Sequence, residues 1–116
     1  MRDNLLAELS MDFSVDAITF CSTMKGHYAL TNQFERSATS IGANIHEANY
    51  AQSRADFISK MQIALKECYE SEYWLTIFVR SGLASNEMVK PLYDKCGTIR
   101  RILVASINTA KSKLDA

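Results

Sequence analysis

Apolar residues recur at intervals of three and four along four successive stretches of this chain. That spacing gathers them on one side of an α-helix, whereas a half-buried β-strand needs strict alternation. The stretches cover residues of about 4–25, 30–50, 54–83 and 86–111. The 116 residues include only 4 glycines and 1 proline, fewer turn residues than a fold of many short strands requires. The sequence therefore predicts an all-α protein.

One apolar stripe on each stretch implies one shared core. The four stripes are, in chain order, Leu6, Leu9, Phe13, Ala17, Phe20 and Met24; Leu30, Phe34, Ala38, Ile41, Ile45 and Ala48; Phe57, Met61, Ala64, Leu65, Cys68, Leu75, Phe78 and Val79; Val89, Leu92, Cys96, Ile99, Leu103, Ile107 and Ala110. Short connections between long helices favour antiparallel neighbours. We therefore predict an antiparallel up-down-up-down four-helix bundle, a single domain over residues 1–116.

Local signals mark where these helices begin and end. Ser53 followed by Asp56 resembles a capping box at the start of the third helix, and Ser85 is the predicted N-cap of the fourth. Gly26 is the predicted stop of the first helix, because glycine adopts the left-handed conformation at low cost. Pro91 lies inside the fourth helix and predicts a kink or a late start there.

The second helix is rich in small residues around a single glycine. Gly42 costs the helix about 1 kcal/mol relative to alanine, and a helix that carries this cost usually needs a close neighbour. Ala38 lies four residues earlier and shares the same face. We therefore expect another helix to approach the second helix closely at this position.

The third helix carries more apolar residues than one core face requires. Five of them lie on or beside the side opposite Cys68, namely Ile63, Tyr69, Tyr73, Trp74 and Ile77. A contiguous apolar patch containing Trp and Tyr is typical of a protein interface. The sequence predicts a homo-oligomer interface here; the alternative is that a neighbouring helix or the N-terminal arm covers the patch.

Two charged residues of the second helix belong to a strip away from its core stripe. Arg36 and Glu47 lie on this strip and can pair across a subunit boundary. A solvent-exposed strip explains the same pattern, so both interpretations stay open.

One carboxylate, Glu72, falls on a core face. A buried carboxylate has to be paired or hydrogen-bonded. Ser40 and Asn44 border the core stripe of the second helix, so the sequence predicts a buried polar network of Ser40, Asn44 and Glu72. The alternative is a ligand-binding or catalytic acid, which would need a second titratable group, and none is evident.

The formal net charge is +0, yet the sign of the charge changes along the chain. Residues 1–84 contain 7 Lys and Arg against 10 Asp and Glu, while residues 85–116 contain 6 against 3. The predicted phosphate-contacting residues of the fourth helix are Lys90, Lys95, Arg100, Arg101 and Lys111. An ordinary solvated helix face is the alternative explanation.

The familiar patterns of enzymes and metal proteins do not occur in the sequence. No Glu-x-x-His pair is present, and His46-Glu47 is followed by Tyr50 where a zinc site needs a second histidine. Three widely spaced cysteines indicate neither a disulfide framework nor a zinc site. We therefore predict no catalytic residues, no metal, no cofactor and no small-molecule substrate. Without a signal peptide or an apolar run long enough to span a membrane, we expect a soluble cytoplasmic protein without a membrane partner.

Two segments carry a recognisable family pattern. Residues 36–48 read RSATSIGANIHEA, and residues 53–75 read SRADFISKMQIALKECYESEYWL. They resemble the four-helix bundle family encoded by intervening sequences in bacterial 23S ribosomal RNA, which is similar to the accessory protein of diversity-generating retroelements. The resemblance covers residues of about 10–84, while the fourth helix matches only in pattern.

The resemblance implies an antiparallel four-helix bundle that assembles as a pentameric ring, with no enzymatic activity. It points to Arg36, Ser40, Asn44, Glu47, Glu72 and Trp74 as residues important for packing and assembly. The retroelement relative is strongly basic and associates with nucleic acid, whereas this chain is neutral. The leading hypothesis is thus a non-enzymatic homo-oligomer, a pentamer, that acts as a scaffold or binding module. The alternative is an RNA- or DNA-binding accessory protein that uses the fourth helix.

Overall fold

The structure, a computed structural model, describes residues 4–115 and contains four long helices. They are α1 (Asn4–Ser22), α2 (Tyr28–Ala48), α3 (Arg54–Arg80) and α4 (Asn86–Asp115). Each helix packs against the next along the chain, and α1 also packs against α4. The helices therefore occupy the four corners of a bundle measuring 50 × 21 × 19 Å. This arrangement confirms the predicted all-α antiparallel four-helix bundle.

The helix ends differ from the predicted ones by about one turn or less. α1 ends at Ser22, before the predicted end at residue 25, because the amides of Thr23 and Met24 bond to carbonyls only three residues back. Gly26 follows at φ +89° and stops the chain from continuing as a helix. α2 begins two residues before the predicted residue 30, at Tyr28, and ends at Ala48.

The C-terminal ends of α3 and α4 also differ from the predicted ones. α3 ends at Arg80 and not at residue 83, since Gly82 takes a left-handed φ of +81°. α4 runs on to Asp115, a turn beyond the predicted residue 111. The two predicted N-caps are present, with Ser53 Oγ accepting from the Asp56 amide at 3.0 Å and Ser85 Oγ from the Met88 amide at 3.2 Å.

Pro91 does not delay the start of α4, which begins at Asn86. Proline lacks an amide hydrogen and cannot donate to the carbonyl of Glu87. Both residues are exposed, so water is available to the carbonyl left without its helical donor. The predicted late start is therefore wrong, for a proline this near a helix N-terminus removes only one helical bond.

Gly42 lies where α1 and α2 approach each other closely. A Cβ at this position would come within 3.3 Å of Ser14 Oγ and 3.4 Å of the Ser10 carbonyl oxygen. The close approach predicted from Ala38 and Gly42 is thus confirmed, and α1 is the helix that makes it.

The core is built from the predicted stripes. All members of the four stripes are buried except Leu9, Leu30, Phe57, Leu65 and Val79, which are half-buried and pack against the core. Near one end, Phe20, Phe34 and Phe78 form edge-to-face pairs with ring centroids 5.3–5.9 Å apart. This aromatic cluster joins α1, α2 and α3. Within residues 4–115, no helix is both long and apolar enough to cross a membrane.

Candidate interaction surfaces

The outer side of α3 presents an aromatic surface to solvent. Ile63 is 40% exposed, Tyr69 53% and Tyr73 58%, and no helix of the described chain covers them. Across the groove between α3 and α4 lies Tyr93, which is 41% exposed. We call Ile63, Tyr69, Tyr73, Ile77 and Tyr93 the aromatic face. A groove of about 400 Å³ within it is lined by Tyr69, Glu72, Tyr73, Thr76, Ile77, Arg80 and Tyr93.

Trp74 and Ile77 are less exposed than the sequence pattern predicts. Both are half-buried, and Trp74 packs against the core. Its indole Nε1 donates to Glu70 Oε2 at 3.3 Å, and its ring meets Tyr73 edge-on at a centroid distance of 5.2 Å. Trp74 therefore supports the aromatic face from beneath and contributes little surface of its own.

Arg36 and Glu47 both find partners within their own chain. Arg36 pairs with Glu70 and lies 3.7 Å from Glu67, while Glu47 accepts from Lys60 Nζ at 2.9 Å. These carboxylates and Lys60 belong to α2 and α3, which are packed side by side. The predicted pairing of Arg36 with Glu47 across a subunit boundary is not needed, because each side chain joins α2 to α3.

Glu67 is the least well satisfied carboxylate in the described part of the chain. Its Oε1 atom is buried without a hydrogen-bond partner. Burial raises the pKa of Glu67 above its usual value and the charge on Glu70 raises it further, while Arg36 opposes both. The negative charge of Glu67 is therefore unfavourable in the folded state.

We expect Glu67→Gln to stabilise the protein at pH 7 by about 0.5 kcal/mol, or roughly 2–4 °C in Tm. Because the pKa of Glu67 is higher in the folded state than in the unfolded state, the wild-type protein loses stability as the pH rises above the unfolded-state pKa. The gain should therefore vanish when the pH falls below 4.5, the ordinary value for Glu67. Thermal unfolding of both proteins at pH 4 and pH 7 tests this expectation, and an equal gain at the two pH values would contradict it.

Glu72 is buried as predicted, but its partner is on the other side of α3. Its Oε2 accepts from Arg100 Nε of α4 at 2.9 Å, and this bond raises the pKa of Arg100 above its ordinary value. Asn44 Nδ2 instead donates to the Ser40 carbonyl oxygen at 2.9 Å. The predicted network of Ser40, Asn44 and Glu72 is therefore wrong, because Glu72 lies toward α4 and the other two lie on α2.

The polar link that does join α2 to α3 inside the core was not predicted. Ser37 and Ser71 are both fully buried, and their hydroxyl oxygens lie 2.9 Å apart. Ser37 also donates to the Phe34 carbonyl. Both serines lie beside apolar stripes in the sequence, and these positions could have indicated that the two hydroxyl groups are buried together.

The basic residues predicted to contact phosphate are mostly engaged within the chain. Lys90 pairs with Asp94 at 2.6 Å, Lys95 with Asp16 at 2.7 Å and Arg100 with Glu72. Arg101 is exposed and bonds to the Thr98 hydroxyl, and Lys111 is exposed near the end of α4. The structure therefore separates the predicted set into three paired side chains and two exposed ones.

A second exposed apolar surface, on α1, was missed by the sequence analysis. Met11 is 64% exposed, Val15 55% and Ile18 49%. They follow one another at spacings of four and three, so they form a line on the side of α1 that faces away from the core. The sequence could have indicated this surface, because a helix that is apolar on two sides needs a covering partner on each side.

The three cysteines sit in packed surroundings. Cys68 and Cys96 are buried, and Cys96 Sγ lies 3.5 Å from the Cys68 carbonyl oxygen. Burial, followed by the charge on Glu35, raises the pKa of Cys21 to about 11. No group of three or more His, Cys, Asp or Glu in residues 4–115 is arranged to hold a metal ion.

Comparison with known proteins identifies a family and a similar crystal structure. The family model described as 23S rRNA-intervening sequence protein matches residues 2–105. A protein with unknown function from the S23 ribosomal protein family of Bacteroides thetaiotaomicron is 38% identical, with a TM-score of 0.87 over 93% of this chain and 99% of that chain. No curated protein is matched. These two matches cover nearly the whole bundle and show that the chain belongs to the 23S rRNA-intervening sequence protein family.

Proposed function

We propose that this protein is a non-enzymatic cytoplasmic homo-oligomer, a pentamer, that acts as a scaffold or binding module. The observation that carries the proposal is the exposed aromatic face on α3 and α4. Solvent-exposed tyrosines and isoleucines grouped on one surface are typical of interfaces, where tyrosine buries a large ring and keeps its hydroxyl hydrated. The ring of five rests on the resemblance to the family, whose members assemble in this way.

The charges around the aromatic face suit such an interface. Arg100 lies over the Tyr69 ring at 5.8 Å from its centroid, and the same guanidinium holds Glu72. This arrangement fixes the Tyr69 ring from its inner side and leaves its outer side free to contact another chain. A preorganised aromatic surface loses little side-chain entropy on binding, which favours association.

The first prediction concerns the solution mass of a variant of this surface. We expect Tyr69→Glu with Tyr73→Glu to lower the mass from about five times to one times 13.0 kDa while the helical content is retained. The two added carboxylates of each aromatic face cannot be buried in an interface without partners, whereas both positions are exposed in the monomer. Size-exclusion chromatography with light scattering measures the mass, and circular dichroism measures the helical content.

The matched control changes two exposed tyrosines elsewhere, Tyr28→Glu with Tyr50→Glu, which are 63% and 75% exposed. This variant should keep the wild-type mass. If the two double variants behave alike, or if the wild type is itself a monomer, the aromatic face is not an oligomer interface.

The second candidate function is nucleic-acid binding by the outer side of α4. It is favoured by one observation, that residues 95–114 contain five Lys and Arg and no Asp or Glu. Against it, Lys95 and Arg100 already hold carboxylates of their own chain. Only Arg101, Lys111 and Lys113 remain as exposed cations on this stretch, so any phosphate binding should be weak.

For this candidate we expect binding to single-stranded RNA that is measurable at low salt and lost near physiological salt. Arg101→Ala with Lys111→Ala should abolish it, whereas Lys90→Ala, which removes a cation already paired with Asp94, should not. Fluorescence anisotropy with a labelled oligonucleotide at several salt concentrations provides the measurement. A wild-type protein that shows no binding even at the lowest salt excludes this function.

A further inference from the structure

Two exposed apolar surfaces remain on this bundle, and they carry opposite charge. The first is the line of Met11, Val15 and Ile18 on α1, together with the exposed carboxylates Glu8 and Asp12 beside it. We call these five residues the α1 face. The helix Asn4–Ser22 contains Glu8, Asp12 and Asp16 and no Lys, Arg or His. Asp16 is paired with Lys95 of α4, so Glu8 and Asp12 are the acidic side chains beside this apolar surface.

The second surface is the aromatic face between α3 and α4, which has a basic rim. Arg80 of α3 lines the groove, and the exposed cations of these two helices also include Lys66 on α3 and Arg101 and Lys111 on α4. Glu67 and Glu70 share Arg36, while Glu72 is held by Arg100 and Asp94 by Lys90. The exposed cations of the rim outnumber these incompletely neutralised carboxylates, so the rim is positive.

This opposition extends to the two halves of the molecule. α1 and α2 together contain five Asp and Glu against one Arg and no Lys, whereas α3 and α4 contain ten Lys and Arg against seven Asp and Glu. A chain of zero net charge is thus divided into an acidic side and a basic side. Complementary charge of this kind orients and selects the partner surface in an association.

We propose that the α1 face of one copy docks on the aromatic face of a second copy, head to tail. The proposal rests on the proposed function and names the pair of surfaces that forms its interface. Met11, Val15 and Ile18 pack against the tyrosine rings along the groove between α3 and α4. Glu8 and Asp12 then face the basic rim of the second copy.

The α1 face and the aromatic face are separate patches of one bundle, so each copy can use both at once and successive copies can associate head to tail. A heterologous interface whose rotation closes produces a ring, while one that does not close produces a filament.

The test uses two variants of the full chain, each with one surface destroyed. Met11→Lys with Val15→Lys removes the α1 face, and Tyr69→Glu with Tyr73→Glu removes the aromatic face. All four positions are exposed, so neither variant disturbs the core, and circular dichroism with thermal unfolding verifies this. Asn32→Lys with Gln33→Lys, at two exposed positions on α2, is the control for added positive charge on the acidic side.

We expect each surface variant alone to have the mass of one chain, 13.0 kDa, and the control to keep the wild-type mass. An equimolar mixture of the two should form a complex with both chains in equal amounts, because the first variant supplies an intact aromatic face and the second an intact α1 face. Light scattering and native mass spectrometry measure both quantities.

The contrary outcomes separate this inference from the proposed function. If the Met11 and Val15 variant keeps the wild-type mass while the Tyr69 and Tyr73 variant dissociates, the head-to-tail pairing is wrong and the oligomer stands. A mixture that stays at 13.0 kDa also overturns the pairing. A monomeric wild type overturns the proposed function and this inference together.

Discussion

Phe34→Ala is expected to destabilise the protein by about 3–5 kcal/mol, which lowers the Tm by roughly 15 °C. Phe34 is 0% exposed and lies at the centre of the aromatic cluster. Its ring centroid is 6.3 Å from that of Phe13, 5.9 Å from Phe20 and 5.8 Å from Phe78, each in an edge-to-face arrangement. Alanine would remove these contacts and leave a cavity where three helices meet, which the surrounding rings cannot fill without breaking their own packing.

Urea denaturation at a fixed protein concentration measures this loss, since the stability of an oligomer depends on concentration. The urea concentration at the midpoint of unfolding should fall, while the slope of the unfolding free energy against urea concentration stays unchanged. Tyr28→Ala is the control, because Tyr28 is also on α2 but 63% exposed, and its removal should cost less than about 0.5 kcal/mol. A loss below about 1 kcal/mol for Phe34→Ala would mean that the cluster is not closely packed.

The fold follows from sequence periodicity because each helix needs only its own residues to define a stripe. The stripe of α4 steps by three and four from Val89 to Ala110, and every member is buried. Glu72 was also placed correctly on a core face, since its position on the helix depends on spacing alone. The bundle and its core could therefore be predicted without knowledge of any contact between helices.

The partners of polar side chains could not be predicted in the same way. Periodicity gives the direction of a side chain on its own helix, but not the axial alignment of one helix against another. Glu72 was paired with Ser40 and Asn44 of α2, whereas it meets Arg100 of α4, twenty-eight positions further along the chain. For Arg36 and Glu47, periodicity likewise gave no indication of their partners within the chain, Glu70 and Lys60 on the neighbouring helix α3.

The candidate surface was predicted in outline and differs in detail. Ile63, Tyr69 and Tyr73 are exposed, as expected from their positions on or beside the side of α3 opposite Cys68. Trp74 is half-buried, because its ring packs against the core, and a projection from the helix axis ignores how far a long side chain reaches. The apolar line on α1 was visible in the sequence, and it was overlooked because one stripe per helix already accounted for the core.

The pair Glu72–Arg100 provides the second large expected effect. Arg100→Ala should destabilise the protein by about 2–3 kcal/mol, because it leaves the Glu72 carboxylate, only 11% exposed, without its donor. The pair is 2.9 Å long, and the Arg100 side chain is 28% exposed, which lets water soften the loss. Lys90→Ala, which breaks a pair that is 72% and 61% exposed, should change stability by less than about 0.5 kcal/mol.

A double variant tests whether Glu72 and Arg100 act as a structural ion pair. Glu72→Leu with Arg100→Leu replaces the pair by apolar side chains and should restore most of the stability lost in Arg100→Ala, because no charge is then left buried alone. Chemical denaturation of the wild type, the two single leucine variants and the double variant forms a complete cycle. If the double variant is no more stable than Arg100→Leu alone, the cost does not come from an uncompensated Glu72, and the role assigned to this ion pair is wrong.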